Sequence, residues 1–243
     1  MRRVAVVTQA RTTSTRLPGK VLERVGARTL LEHHLARLAE AGLPVVVATT
    51  TNATDDPVAE LARTVGAAVF RGSEHDVLAR FRGAAEQERL DVVVRVTSDC
   101  PLVDGAVVAA GVEEFLRLDD PDGYVTNTRP RTFPRGFDFE VFSRAALEEA
   151  DRSARLPGHR EHVTPYLAEN VSGRVTVRNL TFAPDRSGYR VTVDTAEDLE
   201  LVRRLVEDHG ADRLDCAGIV RVLDAHPDLV ALNAHVEQKR VGE

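Results

Sequence analysis

Lysine is nearly missing from this chain of 243 residues: it occurs at Lys20 and Lys239, against thirty arginines. Tryptophan is absent, methionine occurs once, and the two cysteines, Cys100 and Cys216, form neither a disulfide framework nor a metal-ligand spacing. No apolar run reaches the ~18 residues of a membrane helix, and the N-terminus lacks the apolar stretch of a signal peptide. Neither GxGxxG nor GxxxxGK[ST] occurs, so dinucleotide and Walker-type sites have no support. A formal net charge of −6 argues against the broad basic face that grips a nucleic-acid backbone. These absences leave an expectation of a soluble, cytoplasmic protein that acts on small molecules, with no membrane or nucleic-acid partner.

What is present begins with Lys20, the only lysine in the body of the chain. It ends the phrase QARTTSTRLPGK, Gln9–Lys20, which follows an apolar run, Val4–Thr8, and contains no acidic residue. Residues 1–20 carry Arg2, Arg3, Arg11, Arg16 and Lys20 without one Asp or Glu, a local +5 that leaves −11 for the rest. A compact ammonium on a flexible stem suits a single phosphate oxygen better than a planar guanidinium does. The small residues of the loop let a phosphate chain approach the backbone, and Arg11, Arg16 and Lys20 supply the charge.

The element order reads as α/β. Short β-branched runs at Val4–Thr8, Pro44–Thr49, Ala67–Phe70 and Val92–Val96 alternate with amphipathic stretches Leu30–Ala41, Asp56–Val65 and Asp76–Glu88. That alternation predicts a three-layer α/β/α fold around a mostly parallel twisted sheet. A helix is expected at Asp104–Leu118. Beyond it the texture turns to Asp, Pro, Gly and Arg, and residues 119–172 read as an inserted lid or dimer arm on a single domain spanning residues 1–243. Phe137, Phe139 and Val141 alternate with Asp138 and Glu140, a half-exposed strand. Helices follow at Arg144–Arg152 and Glu161–Asn170, strands near Val175–Asn179 and Tyr189–Val193, and three helical segments, Ala196–His209, Cys216–Ala225 and Asp228–His235.

Ligands of open parallel sheets bind beyond the carboxyl ends of the strands. Three such ends carry chemistry: the Gln9–Lys20 loop, Asp99 after the run VVVRVT, and Asp194 after YRVTV. Asp104 fits the cap of the next helix better than Asp99 does, and Thr195 with Asp198 makes a capping box, so neither Asp99 nor Asp194 has a structural duty. Two carboxylates from separate strand ends beside a cationic loop suit one Mg²⁺ held against phosphate oxygens. Cys100 reads as a packing residue, and His33 and His34 as structural or exposed.

Six segments in order resemble the spore coat polysaccharide biosynthesis protein F family, which belongs with the acylneuraminate and CMP-Kdo cytidylyltransferases. They are QARTTSTRLPGKVL, FRGSEHDVLARF, RVTSDCPLVD, RTFPRGFDFEVFSRAAL, REHVTPY and VDTAEDLELV, spanning about residues 4–202. Thr12-Thr13 stands where that family usually has Met-Gly, and His75 where an acidic residue is common. The resemblance implies a nucleotide-diphospho-sugar-transferase fold, transfer of CMP from CTP to an acidic sugar with release of pyrophosphate, and a homodimer.

On this reading Lys20, Arg11, Arg16, Asp99 and Asp194 are catalytic, with the two aspartates on Mg²⁺. Gln9, Ala10, Arg11, Arg16, Lys20, Thr50, Arg71, Gly72, Arg95 and Thr97 hold the nucleotide, the segments Thr49–Thr51 and Arg71–Ser73 bordering the base by resemblance. Arg129, Arg131, Arg135 and Arg160 suit the carboxylate or phosphonate of an acidic acceptor, Asp138 and Glu140 its hydroxyls, and Glu161 with His162 its orientation or deprotonation. Two alternatives are weighed. A glycosyltransferase of similar fold typically shows an Asp-x-Asp motif, to which Asp138-Phe139-Glu140 comes nearest. A non-catalytic nucleotide or sugar sensor has no need of Lys20 and both aspartates together.

Overall fold

The computed structural model describes residues 2–238; Lys239 lies outside them. The strands are β1 (Val4–Gln9), β2 (Arg24–Val25), β3 (Arg28–Thr29), β4 (Val45–Thr50), β5 (Ala68–Gly72), β6 (Val92–Thr97), β7 (Gly123–Thr126), β8 (Glu140–Ser143) and β9 (Thr176–Asn179). The helices are α1 (Leu30–Ala39), α2 (Asp56–Thr64), α3 (Val77–Gln87), α4 (Gly105–Leu118), α5 (Arg144–Ser153), α6 (Pro157–His162), α7 (Pro165–Ala168), α8 (Ala196–His209), α9 (Cys216–Ala225) and α10 (Pro227–Ala231). Seven strands form one sheet in the order β5-β4-β1-β6-β8-β7-β9. β1 pairs in parallel with β4 and β6, as the uninterrupted valine runs predict.

Alternate side chains of the central strands enter opposite layers. Ala5, Val7, Val46, Ala48 and Val93 pack under α3 and α5, while Val6, Val92, Val94 and Val96 pack under α4. All are at most 1% exposed, each valine stabilising the fold by roughly 1.5–3 kcal/mol relative to exposure. The helix starts are set locally. Thr29 with Glu32 and Thr195 with Asp198 close capping boxes, and Asp104 accepts from the Ala106 and Val107 amides to start α4. Among the described residues no helix is long and apolar enough to cross a membrane.

Three expectations are corrected. The segment 119–172 is not set apart from the core, because β7 and β8 are strands of the central sheet. β8 runs antiparallel to β6, and Tyr124, Phe139, Val141 and Phe142 are buried within the layers. The alternation at 137–142 therefore marks a core strand reached through an irregular lead-in. The expected strand at Tyr189–Val193 makes a single bridge, Arg135 with Arg190, and joins no ladder. Its alternation reflects burial of Val191 and Val193 against α8 and α9. The expected helix at Glu161–Asn170 is two short helices broken at Val163, whose φ is 70° and ψ −58°.

Candidate active site

The carboxyl ends of β1 and β6 are neighbours, with Gln9 registered against Thr97, so the loops that follow them open on the same side. Two hydrogen bonds join the extended segment before Asp194 to them. The Asp99 carbonyl accepts from the Val193 amide at 2.8 Å and from Thr192 Oγ1 at 3.0 Å. Gly136, with φ at 114°, lets Arg135 run against this segment; any Cβ there would lie 2.9 Å from the Thr192 amide nitrogen. The lacing sets the Asp99 and Asp194 side chains about one ammonium.

That ammonium belongs to Lys20. Its Nζ donates to Asp194 Oδ1 at 2.8 Å and to the Val193 carbonyl at 2.6 Å, and lies 3.6 Å from Asp99 Oδ2. Lys20 is only 8% exposed. Burial pulls its pKa down, but Asp99 and Asp194 outweigh it and hold the pKa above its ordinary value. Burial raises the Asp194 pKa, and Lys20, Arg16 and Arg190 outweigh that in turn, keeping it below the usual carboxylate range. The second Asp194 oxygen accepts from Arg16 at 2.8 Å and Arg190 at 2.9 Å. Arg190 is itself held by fully buried Asp198, at 2.8 and 3.0 Å.

A cleft of about 470 Å³ lies over this cluster, lined by Gln9, Ala10, Arg11, Arg16, Lys20, Arg95, Thr97, Asp99, Glu161, His162 and Asp194, among others. The expected phosphate-loop and strand-end residues thus meet in one place. Glu161 and His162 reach the same cleft. Thr164 N–H donates to the His162 carbonyl at 2.8 Å across Val163, a γ-turn of the strained hand and a rare conformation for a β-branched residue. Burial lowers the His162 pKa from its ordinary value, so the ring is neutral at pH 7.

Other expected site residues sit elsewhere. The Thr50 hydroxyl donates to buried Asp55. Arg71 braces the turn after β4, donating to the Thr50 and Asn52 carbonyls at 2.7 and 2.8 Å and to Asp56 at 2.6 Å. Gly72 lies at the end of β5 against Phe70 and Arg80. None of these three lines the cleft. Asp138 is held in a two-pronged pair by Arg131. Glu140 accepts from Tyr124, Arg95 and Thr164, and Arg160 joins Asp76 and Asp151. Arg135 lines a separate cavity of about 170 Å³, which shares Gln238 with the cleft.

Two groups escaped the sequence reading, Arg80 and Arg190, and a third, His34, proves to be structural. Arg80, 2% exposed, lines the cleft; burial and the nearby Arg11 lower its pKa to about 10. Arg190, on a stretch that reads as an ordinary strand, positions Asp194. His34, fully buried, contacts the Cys100 carbonyl through Nδ1 at 2.9 Å, so Nδ1 carries the proton and Nε2 accepts from Thr8 at 2.9 Å. Burial lowers its pKa to about 4. The partners of His34 lie far away in sequence, whereas Arg190 meets Asp194 and Asp198 nearby but across the start of α8, where no regular spacing announces the pair.

The chain resembles known proteins along nearly its whole length. Residues 5–239 match the family model described as cytidylyltransferase. The spore coat polysaccharide biosynthesis protein SpsF of Bacillus subtilis is 32% identical, covering 94% of this chain and 97% of that one. A 3-deoxy-manno-octulosonate cytidylyltransferase of Solibacter usitatus is also 32% identical, covering 84% and 94%. A solved cytidylyltransferase from Leptospira borgpetersenii superposes with a TM-score of 0.89 at 34% identity, covering 99% of this chain and all of that one. With matches along nearly its whole length, this chain belongs to the cytidylyltransferase family.

Proposed function

We propose that this nucleotidyltransferase moves CMP from CTP to a sugar acid, a nonulosonic or 2-keto sugar acid, and works with a magnesium ion. The observation that carries this is Lys20 Nζ, 2.8 Å from Asp194 and 3.6 Å from Asp99, at the base of an arginine-lined cleft. A related protein named for 3-deoxy-manno-octulosonate supports an acidic acceptor. So does Arg135, a half-buried guanidinium within 4 Å of no carboxylate among the described residues.

The acceptor oxygen attacks the α-phosphorus of CTP in line, and the bond to the β-phosphate oxygen breaks as pyrophosphate departs. Protein catalysis of such a step is positioning and charge neutralisation. Arg11, Arg16 and Arg80 meet the triphosphate along the loop and the cleft wall. Lys20 sits where the transferred phosphoryl group passes Asp99 and Asp194. Neutral His162 has a free lone pair with which to take the proton of the acceptor hydroxyl.

Asp99 and Asp194 suit magnesium in kind: they are two hard carboxylates at the base of the cleft, now flanking Lys20 Nζ, and they would hold the ion once that ammonium turned toward the phosphates. When bound, the ion neutralises phosphate charge and lowers the pKa of the acceptor hydroxyl.

The test is a panel of acidic sugars incubated with CTP, with and without magnesium, read for CMP adducts and pyrophosphate. Metal-dependent release of both is expected. Transfer of sugar from a finished nucleotide sugar, without pyrophosphate, sinks the proposal in favour of a glycosyltransferase. A homodimer built through residues 119–172 is part of the same proposal, since two-fold pairing is the commonest assembly. Light scattering at the 26.6 kDa monomer mass across micromolar concentrations overturns it.

A further inference from the structure

Beneath the phosphate loop lies a carboxylate that the mechanism above does not use. Asp55 is 0% exposed, and no cation lies within salt-bridge distance of it among the described residues. A buried carboxylate without a partner cation is costly unless hydrogen bonds replace its water. Here they do. Asp55 Oδ1 accepts from the Thr12 amide at 2.7 Å and the Thr12 hydroxyl at 2.8 Å, and Oδ2 accepts from the Thr50 hydroxyl.

Thr12 is fixed on its other side as well, because its carbonyl accepts from the Gly19 amide at 2.8 Å. The residue therefore anchors both ends of the arc that carries Ser14, Thr15 and Arg16 along the cleft. Next to it, Thr13 donates to Glu74 at 2.5 Å, and Glu74 also accepts from Asn52 at 2.6 Å. Arg11 and Arg80 stand close enough to repel each other, and Asp55 and Glu74 offset that repulsion at Arg80. A loop of like charges that must hold a triphosphate tends to splay in the free enzyme, and these carboxylates oppose the splaying.

We infer that Asp55, acting through Thr12, is the positioning residue of the phosphate-binding loop and sets affinity for the triphosphate part of the nucleotide. The inference rests on the loop binding phosphate, and it names a residue that never touches the nucleotide. Of the three contacts to Asp55, the Thr12 amide makes one through the backbone, and the hydroxyls of Thr12 and Thr50 make the other two.

The experiment compares Asp55→Ala, Asp55→Asn and Thr12→Val for binding of CTP, inorganic tripolyphosphate and cytidine by calorimetry in magnesium, with the melting temperature of each. The Asn carboxamide still accepts from Thr12, while the Thr50 hydroxyl turns to accept from its NH₂. Asp55→Ala is expected to weaken CTP and tripolyphosphate at least tenfold and cytidine less than twofold. Asp55→Asn is expected to stay within threefold of wild type, and Thr12→Val to lie between the two. If Asp55→Ala does not fold, Thr12→Val and Asp55→Asn decide the matter. Variants that melt earlier but bind tripolyphosphate like wild type overturn the inference and leave Asp55 a structural residue. Failure of the wild-type protein to bind CTP while it binds tripolyphosphate instead strikes at the nucleotide assignment and leaves Asp55 standing.

Discussion

The two banks of the cleft use charge differently. On the β1 side, Arg11, Arg16 and Lys20 come from a stretch with no acid of its own, and their partners, Glu74, Asp194 and Asp99, border the same cleft or its loops. On the side built by residues 119–172, most charges close on each other or on the core: Arg131 on Asp138, Glu140 on Arg95, and Arg160 on Asp76 and Asp151. A pair closed within the wall contributes to shape. A pair whose members both face the cleft can be reopened by a ligand that offers better partners. The difference separates charge open to a ligand from framework charge, and Arg135 is the exception on the second side, since its guanidinium has no closed pair among the described residues.

The comparison breaks if residues on the first bank prove dispensable. Asp194→Asn and Asp99→Asn should each lower single-turnover CMP transfer by at least ~10³-fold, about 4 kcal/mol of transition-state stabilisation. The folded far-ultraviolet spectrum should persist. Turnover near wild type in either variant removes the centre of the argument.

Under that bank, His34 should leave a signature in acid. Its pKa is about 4 in the fold, against an ordinary 6.5. The unfolded chain therefore takes up the proton first as pH falls. The His34 contribution is complete above about 6.5, shrinks below it, and is gone by about 4, a loss on the order of 3 kcal/mol. Urea melts of wild type and His34→Gln across this window should differ in slope. Parallel slopes refute the buried neutral imidazole.

Lys20→Arg comes next. A planar guanidinium in place of an ammonium 8% exposed should crowd the aspartates. A fall of about 10²-fold in single-turnover rate, or about 2.7 kcal/mol, is expected with little change in melting temperature. Retention of more than about half the rate makes Lys20 a bystander.

The smallest effect belongs to the opposite bank. Arg160→Ala should cost about 1 kcal/mol of stability, because its partners Asp76 and Asp151 are partly exposed, and CMP transfer should stay within about threefold of wild type. A tenfold loss of transfer with an unchanged melt would return Arg160 to the acceptor site.

How much of this was legible in the sequence follows the range of each signal. The valine runs announced β1, β4 and β6, because a strand buried on both faces leaves a continuous apolar record. Lys20 stood out by composition, and Asp99 and Asp194 by position at strand ends with the capping duties already taken by Asp104 and Thr195. The cleft residues Arg11, Arg16, Glu161 and His162 were found in the same way or through the resemblance. What stayed hidden was which charges pair. Nothing local tells Arg131 from Arg135: Asp138 is near both in sequence, yet it closes on Arg131, and Arg135 meets no acid among the described residues. The antiparallel entry of β8 was masked by the prolines and glycines before it, and the break at Val163 by an otherwise helical pattern.

The reversal of strand direction at β8 has one more consequence. β7 ends, and β8 begins, on the same side of the sheet as the loops of Lys20 and Asp99, so residues 127–139 leave and rejoin the sheet at its ligand-bearing rim. The crossing is no free loop: Phe133, Phe137 and Phe139 are buried, Asn127 donates to the Phe137 carbonyl at 2.7 Å, and Arg135 exchanges backbone hydrogen bonds with Tyr189 and Val191. A change of length there would therefore disturb the backbone that leads into Asp194, so this rim of the sheet is held as one web and not as independent loops.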